Sequence, residues 1–273
     1  MTNWRKYNGA LIPDEPPHIE INDSDSLIKK KISDNNVFFG RWTTKFDCKE
    51  ETEFWYVIQD VPLEINDYSP KTRNQIRRSL KKCNVKKVKK EEIIKVGYNS
   101  YYSAFQKYNT YLLPLSEDEF ISSILLLGAE WEFWGIYDLT GMMIGYSQNK
   151  IIKDYCDYSI MKFHPDYLKS RPSEALIYTM NQHYLNERNF SYVNDGARSI
   201  SHDTNIQSFL IDKFRFRKAY CKLNIIYSPK IRLLLSVVYP FRLIIKLLKF
   251  GPFVKLNILF EQEKIRRSYE KGK

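Results

Sequence analysis

Ser191-Tyr-Val-Asn-Asp-Gly-Ala-Arg-Ser-Ile-Ser-His-Asp-Thr-Asn205 gathers polar and ionisable side chains between a short apolar run and a second periodic segment. Asn189 to Val193 reads as a short buried strand, and Asp195-Gly196 as its exit. Thr204 is placed to cap a helix over Asn205 to Phe214, whose apolar positions Ile206, Phe209, Leu210 and Phe214 follow the helical period loosely. Moving towards the N-terminus, Arg171 to Asn186 sets Ala175, Leu176, Thr179, Met180, His183 and Tyr184 at helical spacing behind Pro172, which a first turn tolerates. Before it, Tyr155 to Phe163 is an apolar strand that stops at His164-Pro165. Phe133 to Asp138 and Met142 to Ile152 form two further strands around the turn Leu139-Thr-Gly141. On the other side, Lys218 to Tyr227 alternates, with Ala219, Cys221, Leu223 and Ile225 on one face. The order is strand, hairpin, strand, helix, strand, helix, strand.

Earlier in the chain, residues 1–36 are polar and carry Pro13, Pro16 and Pro17, and are expected to wrap a surface. Val37 to Thr43 and Glu53 to Val61 read as strands. Ser69 and Pro70 then supply a cap and first position for a basic helix. From Lys71 to Lys90 the chain has many cations and no acid. Arg73, Arg77 and Lys81 recur every four residues, and Ile76, Leu80 and Cys83 mark a different face. Such a stripe serves either as a polyanion contact that weakens with salt or as a solvated face. Ile93 to Tyr111 reads as a helix with a tyrosine cluster that packs or stacks on bases, and Glu117 to Leu127 as an amphipathic helix capped by Ser116. Trp131, Phe133 and Trp134 either pack the sheet or line an acyl pocket.

With 273 residues, 43% hydrophobic and 15% aromatic, the chain can bury a substantial core. A formal charge of +11 favours an anionic partner: nucleic acid, a phosphorylated donor or a membrane surface. Cys48, Cys83, Cys156 and Cys221 form no C-x-x-C pair, and the four histidines lack ligand spacing, so neither a disulfide framework nor a metal site is expected. No apolar core of signal-peptide length follows the N-terminal residues, and a cytoplasmic location is expected.

The tail is distinct. Ile231 to Leu248 is nearly continuous in apolar residues, interrupted by cations and bent by Pro240. On a helical projection Arg232, Arg242, Lys246 and Lys249 fall within an arc of roughly 100°. One cationic face opposite an apolar one suits a helix lying in an anionic membrane interface, whereas a spanning helix would need about twenty apolar residues without buried charge. Packing on the core or on a partner subunit is the alternative. Three segments follow: an extension over 1–36, a main domain over 37–228 and a basic amphipathic tail over 229–273.

Several short motifs within Phe54 to Tyr227 share an order found elsewhere. They are Lys71-Thr-Arg-Asn-Gln-Ile-Arg-Arg-Ser-Leu-Lys-Lys82, the Gly141 to Gly145 hairpin, Pro172-Ser-Glu-Ala-Leu176, Tyr192 to Gly196, and Asn205 with Lys213-Phe-Arg-Phe216. In this order they resemble the GNAT superfamily of N-acyltransferases, and more closely the second GNAT-like domain of the Fem-type aminoacyl transferases of bacterial cell walls. The resemblance implies an α/β fold with a mixed, twisted sheet and helices on both faces. It implies a donor, acyl-CoA or aminoacyl-tRNA, held by the splayed strand at Met161 and Phe163, by the loop residues Lys169, Ser170, Arg171 and Ser173, and by Asn205. GNAT enzymes cradle the coenzyme A pyrophosphate on a Gly-rich loop. This chain has Lys169-Ser-Arg-Pro-Ser-Glu174 there, with no glycine and one N–H removed by Pro172, which is nearer the Fem type. Arg215 stands at a family glycine, and no tyrosine late in the Asn205 helix supplies an acid.

Transfer to an amine needs a positioned acyl group, an acceptor for the amine proton and donors for the developing oxyanion. Asp195 or His202 is expected to take the proton and Arg198 to hold an anionic part of donor or acceptor. Structural alternatives are a turn fixed by Asp195, an Arg198–Asp203 pair and a packed His202. The expected function is acyl or aminoacyl transfer to an amine of a cell-envelope or surface-polysaccharide precursor, lipid-linked in one version, at the inner face of a membrane. The alternatives are a CoA-dependent amino-sugar N-acyltransferase and a silent GNAT-like domain that binds anionic lipid or nucleic acid, tRNA included.

Overall fold

The computed structural model describes residues 2–108, 113–200, 205–245 and 252–271. Its first half runs β1 (Trp4–Tyr7), β2 (Ala10–Pro13), α1 (Asp25–Asp34), β3 (Phe39–Thr44), β4 (Trp55–Gln59), α2 (Pro70–Leu80), β5 (Asn84–Val88), α3 (Lys90–Val96), α4 (Tyr98–Phe105) and α5 (Glu117–Leu125). The second half runs β6 (Trp131–Tyr137), β7 (Met143–Ile152), β8 (Tyr155–Phe163), α6 (Pro172–Asn181), β9 (Tyr192–Ala197), α7 (Asn205–Phe214), β10 (Arg217–Tyr220) and β11 (Lys222–Tyr227). The helices α8 (Pro229–Val238), α9 (Arg242–Ile245) and α10 (Pro252–Lys271) close the chain. Two mixed sheets result, one of four strands in the order β1-β2-β3-β11 and one of seven in the order β10-β4-β9-β8-β7-β6-β5.

The chain divides into two compact units. The first comprises Met1–Tyr56, Ala197–Thr204 and Lys218–Lys273, and the second Val57–Gly196 and Asn205–Arg217. These units are discontinuous, whereas the sequence reads as three consecutive segments. Residues before Val37, expected to wrap a surface, instead build β1, β2 and α1, because Leu11, Ile28, Ile32 and Val37 bury together against Trp4, Trp42 and Ile226. In the same unit β3 and β11 pair antiparallel from Phe39↔Tyr227 to Thr44↔Lys222. The run Lys218 to Tyr227, read as one strand, breaks at Cys221: its N–H donates to Phe54 O (3.0 Å), and its own carbonyl accepts from Thr52 Oγ1 (2.9 Å).

The second unit carries the longer strands. Its strands β5, β6, β7 and β8 form an antiparallel run, and β8 then pairs parallel with β9. Side chains alternate across β6: Phe133 and Tyr137 join the cluster of α3, α4 and α5, while Trp134 turns to the opposite face and donates from Nε1 to the Tyr184 hydroxyl (2.9 Å). Helices therefore cover both faces. Trp134 and Phe133 are buried structural residues, the packing alternative for that aromatic group.

Local chemistry sets several ends. Ser69 Oγ accepts from the Thr72 N–H (3.2 Å) and Pro70 opens α2, as expected. A reciprocal box between Ser116 and Glu119 opens α5. Of the helix expected over Ile93 to Tyr111, the end at Tyr111 lies outside the described residues; the rest is two helices meeting at Gly97, where a Cβ would lie 2.6 Å from the Ile93 carbonyl oxygen, too close for any side chain without a shift of the backbone. Asn84 to Val88, hidden in the cationic run, is a strand at the sheet edge, where Lys86 and Lys87 discourage further pairing. Beneath α2, Ile76 and Cys83 are buried as expected, but Leu80 is 41% exposed.

Candidate functional site

The second unit has one place where a strand loses its neighbour. Strands β8 and β9 pair in parallel only at Tyr155↔Tyr192, Cys156↔Val193 and Asp157↔Asn194. Past Asp157, β8 continues to Phe163 beside β7, with a register shift between Gln148 and Lys150 of β7 that leaves one extra residue on β8. Strand β9 runs on through Asp195 and Gly196 to Ala197; Gly196 has φ +83°, and its N–H donates to Asn194 Oδ1 (2.7 Å). Asp195-Gly196, expected to leave the strand, is thus its continuation. Because successive backbone amides of a strand point to opposite edges, alternate N–H groups of β8 between Tyr158 and Phe163 face the edge that β9 has left. Met161 and Phe163 lie in this segment, opposite Ser147 and Gly145 of β7. An open set of strand amides can receive a carbonyl oxygen and, in the transition state, an oxyanion.

The ionisable groups at the parting are carboxylates and phenols. Burial, and then the neighbouring Asp157, push the Asp195 carboxyl up to about 8. Asp157 itself accepts from Ser159 Oγ (3.0 Å) and Asn194 Nδ2 (3.5 Å). Beside them Tyr158 is fully enclosed; burial raises its phenol well above the usual range, with Cys156, Tyr184, Tyr68 and Asp195 adding to the effect. Its hydroxyl donates to Asn181 Oδ1 (2.8 Å) at the end of α6. The Tyr68 hydroxyl and Asn181 Nδ2 are buried in the same cluster without a well-formed hydrogen bond. Asp157, Tyr158, Tyr68 and Asn181 escape sequence reading. One indication was present: Asp157 is an acid inside the apolar run Tyr155 to Phe163.

The expected anion loop has a different character. Arg171 adopts a left-handed backbone (φ 59°) that caps α6, and Pro172 follows at the first helical position. An open depression of about 330 Å³ is lined by Leu168, Lys169, Arg171, Ser173, Glu174 and Phe209. Lys169, Arg171 and Ser173 are therefore together as predicted, while Ser170 turns its carbonyl towards the Cys83 thiol (3.7 Å). However, the loop already holds an anion of its own. Glu174 is buried and accepts from Arg171 Nη1 (3.1 Å), Lys213 Nζ (2.9 Å) and Ser173 Oγ (2.9 Å). Burial alone would raise this carboxyl, but the hydrogen bonds from Lys213, Ser173 and Arg171 hold it below its ordinary value. A pyrophosphate here would have to displace a paired carboxylate, and Pro172 has removed one amide, so the residues do not fit the coenzyme A diphosphate. Asn205 is exposed at the start of α7 and has no recorded part in the loop.

Arg198 already has partners of its own. Within the first unit its Nη1 meets Glu53 Oε2 (3.2 Å), its Nη2 lies 3.7 Å from Glu261 Oε1, and its guanidinium sits 4.8 Å over the Trp55 ring. Two carboxylates and an aromatic face already satisfy it. His202 and Asp203 lie outside the described residues, as do Lys246 and Lys249. Arg232 is exposed on α8, but Arg242 is only half-exposed: it stacks 4.6 Å over Tyr239 and donates to that residue's carbonyl (3.3 Å). On α2, Arg73 and Arg77 reach only Asn66, at 3.4 Å each, and among the described residues neither they nor Lys81 has an ion pair. Unlike Arg171 and Lys213, these have no carboxylate partner among the described residues.

No family model and no curated protein sequence matches the chain. Solved structures do. The C-terminal domain of a putative lysylphosphatidylglycerol synthetase from Agrobacterium fabrum is 12% identical, with a TM-score of 0.51 over 85% of this chain and 83% of that one. L-PGS from Bacillus licheniformis is 11% identical, with a TM-score of 0.53 over the same shares. FemX is 11% identical, with a TM-score of 0.52 over 83% of this chain and 73% of that one. At these identities the likeness is one of fold, and the fold is GNAT-like and Fem-like.

Proposed function

We propose that this chain transfers an aminoacyl or acyl group to an amine, with aminoacyl-tRNA as the favoured donor and the amine of a lipid-linked cell-envelope precursor, at the inner face of the membrane, as acceptor. The observation that carries the reading is the parting of β8 and β9 with Asp195 beside it, at a pKa of about 8. The acyl carbonyl binds along the free edge of β8, where strand amides stabilise the oxyanion; one such donor is typically worth about 3 kcal/mol. The amine nitrogen attacks the carbonyl carbon and forms the new C–N bond. Asp195 accepts the amine proton as the ester C–O bond to the donor breaks, and passes it to the departing oxygen, which leaves as a hydroxyl. A base near pH 8 suits this task, because it is strong enough to take the proton and still partly ionised near neutrality.

Two features favour aminoacyl-tRNA over coenzyme A. Glu174 fills the loop where a diphosphate would sit, and Arg73 and Arg77 of α2, with Lys81 just past its end, form a cationic face that has no ion pair among the described residues. The fold shared with L-PGS and FemX is compatible with this choice. Silent binding is the competing reading. It is separated by single-turnover transfer from charged tRNA to a soluble amine, with wild type and Asp195→Asn. Loss of about 10²–10⁴-fold in the variant is expected for a missing general base. Full turnover by Asp195→Asn would remove the assignment, and a large thermal shift of the wild type with coenzyme A would overturn the choice of donor.

A further inference from the structure

A helix that only covers a core turns its polar side outward. Helices α8 and α9 do the opposite. Inward, Leu235 and Tyr239 bury against Phe260 of α10, within the first unit. Outward, Leu233 (68% exposed), Val237 (59%), Phe241 (58%), Leu243 (71%) and Ile244 (67%) form an apolar ridge with Leu234. Ridges of this kind mark a surface that another body covers. Two exposed cations, Lys230 and Arg232, stand at its N-terminal end. The surrounding sequence has no Asp or Glu between Asp212 and Glu261.

We propose that this ridge inserts into the interface of an anionic lipid bilayer, with Lys230 and Arg232 against the head groups. The charge selects the occupant. A two-fold contact between copies would add two more cations to one interface, with no acid in the stretch between Asp212 and Glu261 to offset them. A bilayer of anionic lipid takes the apolar side chains into its acyl boundary and the cations at its surface, the arrangement of an interfacial helix. Among the described residues no helix is long and apolar enough to cross a membrane. Of the four cations read in the sequence, Arg232 is exposed, Arg242 stacks on Tyr239, and Lys246 and Lys249 lie outside the described residues.

The test is sedimentation of the full chain with large vesicles of phosphatidylcholine alone or mixed with phosphatidylglycerol. Strong partition onto the mixed vesicles only is expected. Leu243→Asp with Ile244→Asp, both at exposed positions, should reduce it by at least about tenfold. Lys230→Ser with Arg232→Ser should cost roughly fivefold per cation and flatten the salt dependence. Wild-type binding that ignores phosphatidylglycerol, or an aspartate pair that binds like wild type, overturns the proposal. So does a concentration-dependent dimer that the aspartate pair abolishes, because the ridge would then belong to a second copy. Unchanged circular dichroism of the variants excludes misfolding as the cause. Since the ridge is argued from the first unit alone, failure of the transfer assay leaves it standing, and failure here leaves Asp195 untouched.

Discussion

Glu174, buried, and Asp195, partly buried, are carboxylates of the same unit, and they titrate in opposite directions. Three donors converge on Glu174, so burial is outweighed and the carboxyl titrates below its ordinary value. Asp195 meets only another carboxylate, and among the described residues no hydrogen bond reaches its side chain, so burial and Asp157 act together. Partners, rather than depth, decide which of the two is a structural anion and which is available to carry a proton. The same distinction separates the cations: Arg171 and Lys213 are committed to Glu174, while Arg73 and Arg77 are not.

The comparison can be broken from either side. The largest effect is expected on the alkaline limb of stability. An unfolded Asp titrates near 3.9, whereas Asp195 in the folded chain does so at about 8. The folded state therefore holds the extra proton between these values, and stability falls as pH rises through them. Asp195→Asn should match the wild type below about pH 4 and exceed it above pH 8 by about 1–5 kcal/mol in urea titrations. Equal curves at pH 9 would mean that Asp195 is not held protonated.

Glu174→Gln tests the opposite case. Its folded pKa lies below the unfolded one, so its contribution is present at neutrality and is lost as pH falls through the depressed value. The variant should be less stable at pH 7 by about 1–3 kcal/mol, the partly exposed partners moderating the cost of a broken pair, and the difference should vanish in strong acid. It should also gain measurable affinity for pyrophosphate, because Arg171 and Lys213 are released. An unchanged anion affinity would show that the loop, not its carboxylate, refuses the ligand.

The smallest effect sharpens the cations. For a donor tRNA held by α2, Arg73→Gln with Arg77→Gln should lower the slope of log affinity against log salt by about 0.7–0.9 per lost phosphate contact. Neutralising Lys213 should leave that slope where it is.

Much of this molecule was legible in its sequence. Strand β8 and helix α7 begin and end where periodicity puts them, and Ser69-Pro70 and Ser116 mark the starts of α2 and α5, because these features depend on neighbours within a few residues. Asp195 and the loop Lys169 to Ser173 stand out in the sequence from motif order. The break in the run Lys218 to Tyr227 was not, since the alternation of Ala219, Cys221 and Leu223 continues unbroken through it; the chain changes sheets because the Cys221 amide and carbonyl meet Phe54 and Thr52. Strand β5 was masked by its own lysines, which an edge strand can carry.

Local periods, caps, the acid-free stretch 213–260 and the position of a polar segment between β9 and α7 were therefore set by the sequence itself. Tertiary structure decided which charges are spent. Arg198 is held by Glu53 and Glu261, Arg242 by Tyr239, and Glu174 by Lys213, across separations that no local pattern encodes. Helical and strand periods arise from bonds along the chain, whereas the state of an ionisable group depends on what the fold brings within a few ångströms of it, and on how much water it leaves there.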